Sequence, residues 1–166
     1  VLNLNSSIEF GTQNISPFDE GAYTGEENGK QIKEFASYVI IGHSERRQNF
    51  NEDDNLLFKK VEMAKQNGLI PIYCVQGKET KIPENIEIVA YEPVFAIGTG
   101  MPDTPENANE IAKYIKENNK VKHVLYGGSV TSLNVSGFTQ MENIDGILVG
   151  KASLDAQEFY EIIKNA

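Results

Sequence analysis

Short apolar runs recur along the chain, separated by polar segments. The five strongest are nearly continuous rather than alternating, and they are Tyr38–Ile41, Ile70–Val75, Ile86–Tyr91, His123–Tyr126 and Gly146–Val149. Continuous runs of this length are typical of strands that are buried on both faces, as in a parallel sheet. Ile8–Gln13 is a weaker sixth candidate.

Helical patterns lie between most of these runs. Asn51–Asp54 provides a cap and an acidic first turn, and Gly68 ends the helix that follows. Thr104–Pro105 opens a second helix with a cap and a first-turn proline, and a further helix contains Asn134. A terminal helix carries four apolar residues on one face: Ala156, Phe159, Tyr160 and Ile163. Alternating strands and helices predict an α/β fold with a parallel sheet, either doubly wound or closed as a barrel.

One connection departs from this alternation. Only ten residues, 76–85, separate Val75 from Ile86, which is too short for a crossover helix with its loops. Pro83 weakens any helix there. We expect a single turn or irregular chain.

Composition narrows the class of protein. The 166 residues, 40% of them hydrophobic, predict one domain over residues 1–166. A net charge of −9 argues against nucleic acid and anionic membranes as partners. The single cysteine, Cys74, is interpreted as a buried core thiol in a reducing compartment. Neither a signal peptide nor a membrane-spanning run is recognisable.

Two candidate reactive side chains follow predicted strands directly. Glu92 comes after Tyr91, and His43 comes after the run that ends at Ile41. Ligands of parallel α/β folds bind at this end of the strands. A helical turn after His43 would disfavour a charged imidazole, so that a neutral ring could donate to a carbonyl. His123 lies at a strand start, where we expect an exposed edge.

Glycine-rich loops mark two further strand ends. Tyr126–Val130 and Val149–Ser153 both offer bare main-chain amides. Either loop alone could be an ordinary turn. Barrel enzymes commonly hold phosphate in the loops after strands seven and eight, so the two together after Glu92 favour a phosphate site.

Four segments resemble the active-site signatures of the triosephosphate isomerase family, in the family's order. They are Gly42–Arg47, Tyr91–Gly100, Tyr126–Val130 and Leu148–Leu154. Gln13–Asn14 and Gly21–Glu26 resemble the family's third strand and its dimer-forming loop. The resemblance runs over essentially the whole chain. It implies a (β/α)8 TIM barrel, here incomplete with about six βα units that correspond to strands 3 to 8.

The resemblance also implies an activity and a set of roles. A cytoplasmic, homodimeric enzyme of glycolysis and gluconeogenesis would interconvert dihydroxyacetone phosphate and D-glyceraldehyde 3-phosphate without cofactor or metal. Glu92 would move the proton, His43 would polarise the carbonyl, and Glu45 would support them. The remaining roles are phosphate binding by Gly98, Ser129, Gly150 and Lys151, a lid formed by Pro93, Val94, Phe95, Ala96, Ile97, Thr99 and Gly100, and a dimer contact at Thr24.

The sequence departs from the family in several places. The family's first strand ends in an Asn-x-Lys element whose lysine balances the substrate's charge, and Val1–Ser7 instead resembles the tail of the second helix. We therefore expect this chain alone to be inactive or impaired. Phe95 replaces the usual lid tryptophan, and Lys151 replaces a common glycine. The longer, more acidic loop Ser16–Ala22 puts the usual dimer geometry in question.

Two alternatives remain open. One is another phosphate-binding barrel enzyme, such as a sugar-phosphate epimerase or aldolase, which would be expected to use metal ligands or a Schiff-base lysine. The other is a non-catalytic remnant or scaffold that binds phosphate or a partner. Ligand binding without isomerisation would favour the remnant.

Overall fold

The computed structural model describes residues 8–93 and 103–166. They form two compact units, one built from residues 8–41 and 53–71 and the other from residues 42–52 and 72–166. The single domain expected for residues 1–166 stays a prediction. The strands are β1 Gly11–Thr12, β2 Tyr38–Ile41, β3 Ile70–Val75, β4 Ile88–Tyr91, β5 His123–Tyr126 and β6 Gly146–Ile147. The helices are α1 Gly29–Lys33, α2 Ser44–Asn49, α3 Asp54–Gln66, α4 Pro105–Asn119, α5 Val135–Thr139 and α6 Ala156–Asn165, with a 3-10 helix at Lys151–Leu154.

The first unit packs helix α3 against a pair of parallel strands. Gly11 lies opposite Tyr38 in the pairing of β1 with β2. Helix α3 begins at the predicted place, because the Asp53 side chain accepts a hydrogen bond from the Leu56 N–H at 2.8 Å. It ends before Gly68, whose φ of 70° is the left-handed conformation that glycine adopts without strain. The predicted helix is therefore confirmed at both ends.

The core of the first unit lies between the strands and their helices. It contains the residues Ile15, Ile32, Ala36, Val39, Ile41, Leu57, Val61, Ala64 and Leu69, each at most 6% exposed. Lys60 is also buried, and its ammonium donates to the Asn14 side-chain oxygen at 2.7 Å. A buried ammonium needs such partners to offset its lost hydration.

The second unit is built on a parallel sheet of residues 72–75, β4, β5 and β6, in that order. Cys74 lies opposite Ala90, and Tyr91 lies opposite Tyr126. The run at residues 86–91 begins pairing only at Ile88, and the run at residues 146–149 stops pairing after Ile147. The apolar runs thus locate the strands correctly, and among the five strongest runs only these two overstate the strand length. The connection at residues 76–85 contains neither helix nor strand, which confirms that prediction.

Helices of the second unit cover its sheet, and the last one does so with an unexpected face. Thr104 caps α4, and the rings of Tyr126 and Phe138 stack with centroids 4.0 Å apart. The predicted apolar face of α6 is exposed, with Phe159 at 37%, Tyr160 at 58% and Ile163 at 61%.

The packed face of α6 carries Ile162, which is buried, together with Glu158. The Glu158 carboxylate accepts hydrogen bonds from the N–H of Ser132 at 2.7 Å and from its hydroxyl at 3.0 Å. The apolar face noted in the sequence is therefore not the packed face of this helix. Among the described residues, no helix combines the length and the hydropathy that a membrane span needs.

Candidate active site

Glu92 directly continues strand β4. Its N–H donates to the Val75 carbonyl at 2.8 Å, and the N–H of Gly127 donates to the Tyr91 carbonyl at 2.8 Å. The sheet's hydrogen bonds therefore extend past the end of β4 on both sides. This fixes the main chain at Glu92, whose side chain is completely buried.

His43 lies at the N-terminus of helix α2, as the sequence predicts. Gly42, just before it, has a φ of 79°, which an L-residue adopts only under strain. The Nδ1 atom of His43 accepts a hydrogen bond from the Glu45 N–H at 3.3 Å. Because Nδ1 is the acceptor, the neutral ring carries its proton on Nε2.

These two side chains meet. His43 Nε2 lies 3.0 Å from Glu92 Oε1. The other carboxylate oxygen, Oε2, accepts a hydrogen bond from the Ser44 N–H at 2.9 Å. Despite the short distance to Nε2, Oε1 forms no well-aligned hydrogen bond within the described part of the chain. One oxygen is therefore anchored, and the other is available for chemistry.

Burial dominates the electrostatics of this pair. It raises the pKa of Glu92 above its ordinary value, although the neighbouring His43 and the N–H of Ser44 act in the opposite direction. Burial also raises the pKa of the Cys74 thiol, and the neighbouring Glu92 charge raises it further. Cys74 is buried as predicted, but it lies beside the carboxylate and is more than core filling.

Arg47 braces the turn that carries His43. Its Nε donates to the Gly42 carbonyl at 2.8 Å, and its Nη2 donates to the Tyr73 hydroxyl at 3.2 Å and the Cys74 carbonyl at 3.3 Å. A planar guanidinium can hold several acceptors at once in a fixed geometry. The turn before His43 is thereby tied to the strand beside Glu92.

The first glycine loop begins next to Glu92. A Cβ atom on Gly127 would lie 3.1 Å from the Glu92 Cγ, so only glycine fits there without displacement. The loop continues to Ser129, which is half-buried and whose carbonyl accepts from the Asn134 side chain at 3.2 Å. This predicted phosphate residue therefore lies two positions from a residue in contact with Glu92.

The second glycine loop follows β6. The Leu148 N–H donates to the Tyr126 carbonyl at 2.9 Å, which brings this strand end beside the first loop. Gly150 and Lys151 are exposed, and Lys151 begins the 3-10 helix. The first N–H groups of a helix have no partner within it, so they are available to an anion.

The remaining predicted residues are distributed as follows. Glu45 has an exposed side chain and contributes its N–H to His43. Pro93 is buried, whereas Val94, Phe95, Ala96, Ile97, Gly98, Thr99 and Gly100 lie outside the described residues. Thr24 is exposed in the first unit. His123 is exposed, as expected, at 56%. In residues 8–93 and 103–166, no three side chains of the metal-binding types form a cluster.

Sequence reasoning missed three contributors: the Ser44 N–H, the Arg47 guanidinium and the place of Cys74 beside Glu92. The Ser44 contact is a main-chain contact, which has no side-chain signature. Cys74 lies within β3. Placing it beside Glu92 would have required the register of β3 against β4, which the sequence alone does not fix.

Comparison with known proteins matches the whole chain to one family. The family model for triosephosphate isomerase matches residues 1–166. A triosephosphate isomerase of Mesomycoplasma hyopneumoniae (strain 232) is 41% identical, with 99% of this chain and 77% of that protein covered. One from Legionella pneumophila (strain Lens) is 42% identical, with 95% of this chain and 76% of that protein covered.

A solved structure shows the same likeness. The crystal structure of triosephosphate isomerase from Bartonella henselae matches with a TM-score of 0.84 and 31% sequence identity, covering 97% of this chain and 78% of that one. This confirms the predicted fold class, a (β/α)8 barrel to which the described residues contribute six strands. The chain belongs to the triosephosphate isomerase family.

Proposed function

We propose that this protein interconverts dihydroxyacetone phosphate and D-glyceraldehyde 3-phosphate, with Glu92 as the base and His43 as the electrophile. This is the established division of labour in triosephosphate isomerases. The isomerisation moves one proton between neighbouring carbons and one proton between the oxygens on those carbons, so it balances without an oxidant or reductant. The proposal rests on the 3.0 Å approach of His43 Nε2 to Glu92 Oε1, with the ring proton assigned to Nε2.

Glu92 has the properties of a carbon base. Its buried position raises the pKa of the carboxyl, which makes the ionised form a stronger base than an exposed glutamate. The Ser44 N–H holds Oε2, and Oε1 faces His43. In the proposed reaction Oε1 takes a proton from one substrate carbon and returns it to the adjacent carbon.

His43 provides the complementary group. Its Nε2–H would donate to the substrate carbonyl oxygen as negative charge develops there during enediolate formation. Because the Glu45 N–H occupies Nδ1, the neutral ring is held in the donating tautomer. A substrate that enters between the two side chains would present its carbonyl to Nε2 and its C–H bond to Oε1.

The phosphate would bind across the two glycine loops. Ser129, Gly150 and Lys151 follow adjacent strand ends, and Gly127 connects the first loop to Glu92. Main-chain amides hold phosphate well despite the acidic net charge, and the exposed Lys151 side chain adds a positive charge. Gly98, which lies outside the described residues, is proposed as a further phosphate contact. We also propose that Glu45 acts through the amide that orients His43.

A matched pair of histidine variants tests the catalytic assignment, because the chain has two histidines. Turnover is measured in both directions in coupled assays for His43→Gln, His123→Gln and Glu92→Gln. General-base and electrophilic groups of this kind contribute about 10²–10⁴-fold each. We expect losses of about 10³-fold in kcat for Glu92→Gln and about 10²-fold for His43→Gln. The exposed His123→Gln variant should keep the parent's rate within about twofold.

Two results would contradict the proposal. One is equal turnover by Glu92→Gln and the unsubstituted protein. The other is tight binding of 2-phosphoglycolate, a mimic of the enediolate, by a protein that turns over neither triose phosphate. The second result would support the non-catalytic phosphate-binding alternative.

The family's homodimeric form is proposed for this protein as well, with Thr24 in the contact. Supporting it, the rings of Phe18 and Tyr23 stack with centroids 4.3 Å apart although both are about half exposed. Exposed stacked aromatics are common at protein interfaces. Sedimentation velocity should show a dimer that Thr24→Glu weakens, and a monomer at all concentrations would refute this. A cytoplasmic location, where glycolysis takes place, is proposed because the chain belongs to this family.

A further inference from the structure

A buried carboxylate outside the reacting pair stands at the start of helix α4. Asp103 is only 7% exposed. Its Oδ1 accepts from the Thr104 N–H at 2.8 Å, and both of its oxygens accept from the Asn107 side chain, at 2.9 and 2.8 Å. These donors are all neutral, so the carboxylate is compensated by hydrogen bonds.

Two tyrosines from the sheet complete this environment. The Tyr91 hydroxyl donates to Asp103 Oδ2 at 3.2 Å. The Asp103 N–H in turn donates to the Tyr126 hydroxyl at 3.0 Å. Tyr91 and Tyr126 are register partners on neighbouring strands, and each is at most 2% exposed. One residue therefore holds the side chains of both strand ends.

The two tyrosines stand directly before residues of the candidate site. Tyr91 directly precedes Glu92, and Tyr126 directly precedes Gly127, on which a Cβ would lie 3.1 Å from the Glu92 Cγ. We propose that Asp103 is a positioning residue of the active site, fixing through Tyr91 and Tyr126 the strand ends that carry Glu92 and the first glycine loop. This inference rests on the proposed function for its kinetic consequence.

The tyrosines are suited to a permanent contact. Burial raises the pKa of Tyr91 well above its ordinary value, and the charge of Asp103 raises it further. Burial raises the pKa of Tyr126 to about 12, against the lowering effect of the Asp103 N–H. Both hydroxyls therefore keep their protons throughout the neutral range. The contact holds its geometry there and does not act as a pH switch.

The test compares Asp103→Asn, Tyr91→Phe and the double variant. Asparagine keeps the size of the side chain and the main-chain N–H, but it replaces one acceptor oxygen with a donor. Misplacing a catalytic group by about 1 Å can cost about 10²-fold in rate. For a smaller displacement we expect kcat to fall about tenfold in each single variant, with KM changed less than about twofold. Because both changes break one contact, the double variant should be no more than about twofold slower than Asp103→Asn.

Asp145→Asn is the matched control. Asp145 accepts from the Val124 N–H at 2.7 Å and pairs with Lys116 at 2.8 Å. These contacts lie near the start of β5, whereas Glu92 follows the end of β4. Asp145→Asn should lower the melting temperature while leaving kcat unchanged. If both asparagine variants lower kcat in proportion to lost stability, or if the Asp103 and Tyr91 losses multiply, the positioning role is wrong. If Asp103→Asn does not fold, the kcat of Tyr91→Phe alone tests the positioning role.

A second readout is independent of turnover. The ionisation of Glu92 is followed by the ¹³C shift of its carboxyl carbon in the same variants. A loosened strand end admits water, so the titration midpoint should move down towards that of an ordinary glutamate. An unchanged midpoint in Asp103→Asn and Tyr91→Phe would overturn the inference. If the unsubstituted chain shows no isomerase turnover, this midpoint alone judges the positioning role.

Discussion

Gly127→Ala adds a single methyl group where the structure has no room for it. The new Cβ would lie 3.1 Å from the Glu92 Cγ and 3.3 Å from the Tyr91 carbonyl oxygen. Carbon atoms in contact prefer a separation of about 3.5–4.0 Å, so a displacement of about half an ångström is needed. The Tyr91 carbonyl is held in the sheet by the Gly127 N–H, which leaves the Glu92 side chain to move.

The cost to catalysis follows from that displacement. Glu92 Oε2 is anchored by the Ser44 N–H, so the carboxylate cannot move without lengthening this hydrogen bond. If a shift of about 1 Å costs about 10²-fold, half of that shift costs about tenfold in kcat. Overpacking should also destabilise the fold by about 1–3 kcal/mol. The gain of about 0.4–1 kcal/mol from replacing glycine offsets only part of this.

Gly77→Ala provides the matched control. A Cβ on Gly77 would meet nothing within 4 Å, so this variant should keep its kcat and gain a little stability. Steady-state kinetics and urea unfolding at neutral pH measure both quantities for both variants. The steric reasoning is refuted if Gly127→Ala has the kcat and KM of the unsubstituted protein, or if both alanine variants lose activity equally.

Three further predictions concern ionisable groups of the second unit. Because the folded-state pKa of Glu92 is raised, ionising Glu92 costs stability as pH rises above its unfolded value of about 4.3, so Glu92→Gln should unfold at higher urea than the parent at pH 7 but not at pH 4. Burial would raise the pKa of Asp145, but the Lys116 hydrogen bond and the Val124 N–H outweigh it and hold that pKa below its ordinary value. The resulting stability is present above about pH 4 and is lost as pH falls through the folded-state pKa, so the deficit of Asp145→Asn in thermal melts should disappear in acid. Cys74 is buried with a raised pKa, so a thiol-reactive disulfide reagent should label it at the rate of unfolding, and rapid labelling of the native protein would contradict this.

The sequence predicted the strands more reliably than the faces of the helices. Apolar runs located β2 and β3 within their observed bounds because strands buried on both faces need no polar alternation. The terminal helix is present as predicted, but its packed face carries Glu158, a polar residue that accepts hydrogen bonds from Ser132. A pattern of apolar residues does not reveal a helix face that is held by hydrogen bonds.

The sequence indicated the two residues that we propose as reactive, but not the contacts that surround them. Glu92 and His43 follow strands in a recognisable order, and the structure brings them within 3.0 Å. The contacts of Ser44 and Asp103 depend on main-chain groups and on residues distant in sequence. Such contacts become visible only when the strand register is fixed, since the register decides which side chains are neighbours.

The raised pKa of Glu92 therefore depends on the packing of the sheet and not on the local sequence around Glu92. Burial is the main cause of its raised pKa, and its neighbours come from other strands: Cys74 on β3 and Gly127 after β5. A peptide with the sequence of residues 90–100 would keep the recognisable motif but expose the carboxyl to water, which removes that cause. The same burial opposes folding at neutral pH, so the site needs the anchoring N–H of Ser44 and the extended hydrogen bonds of β4 to keep the charge in place. The motif marks the proposed base, and the packing of three strands around it raises the pKa of its carboxyl.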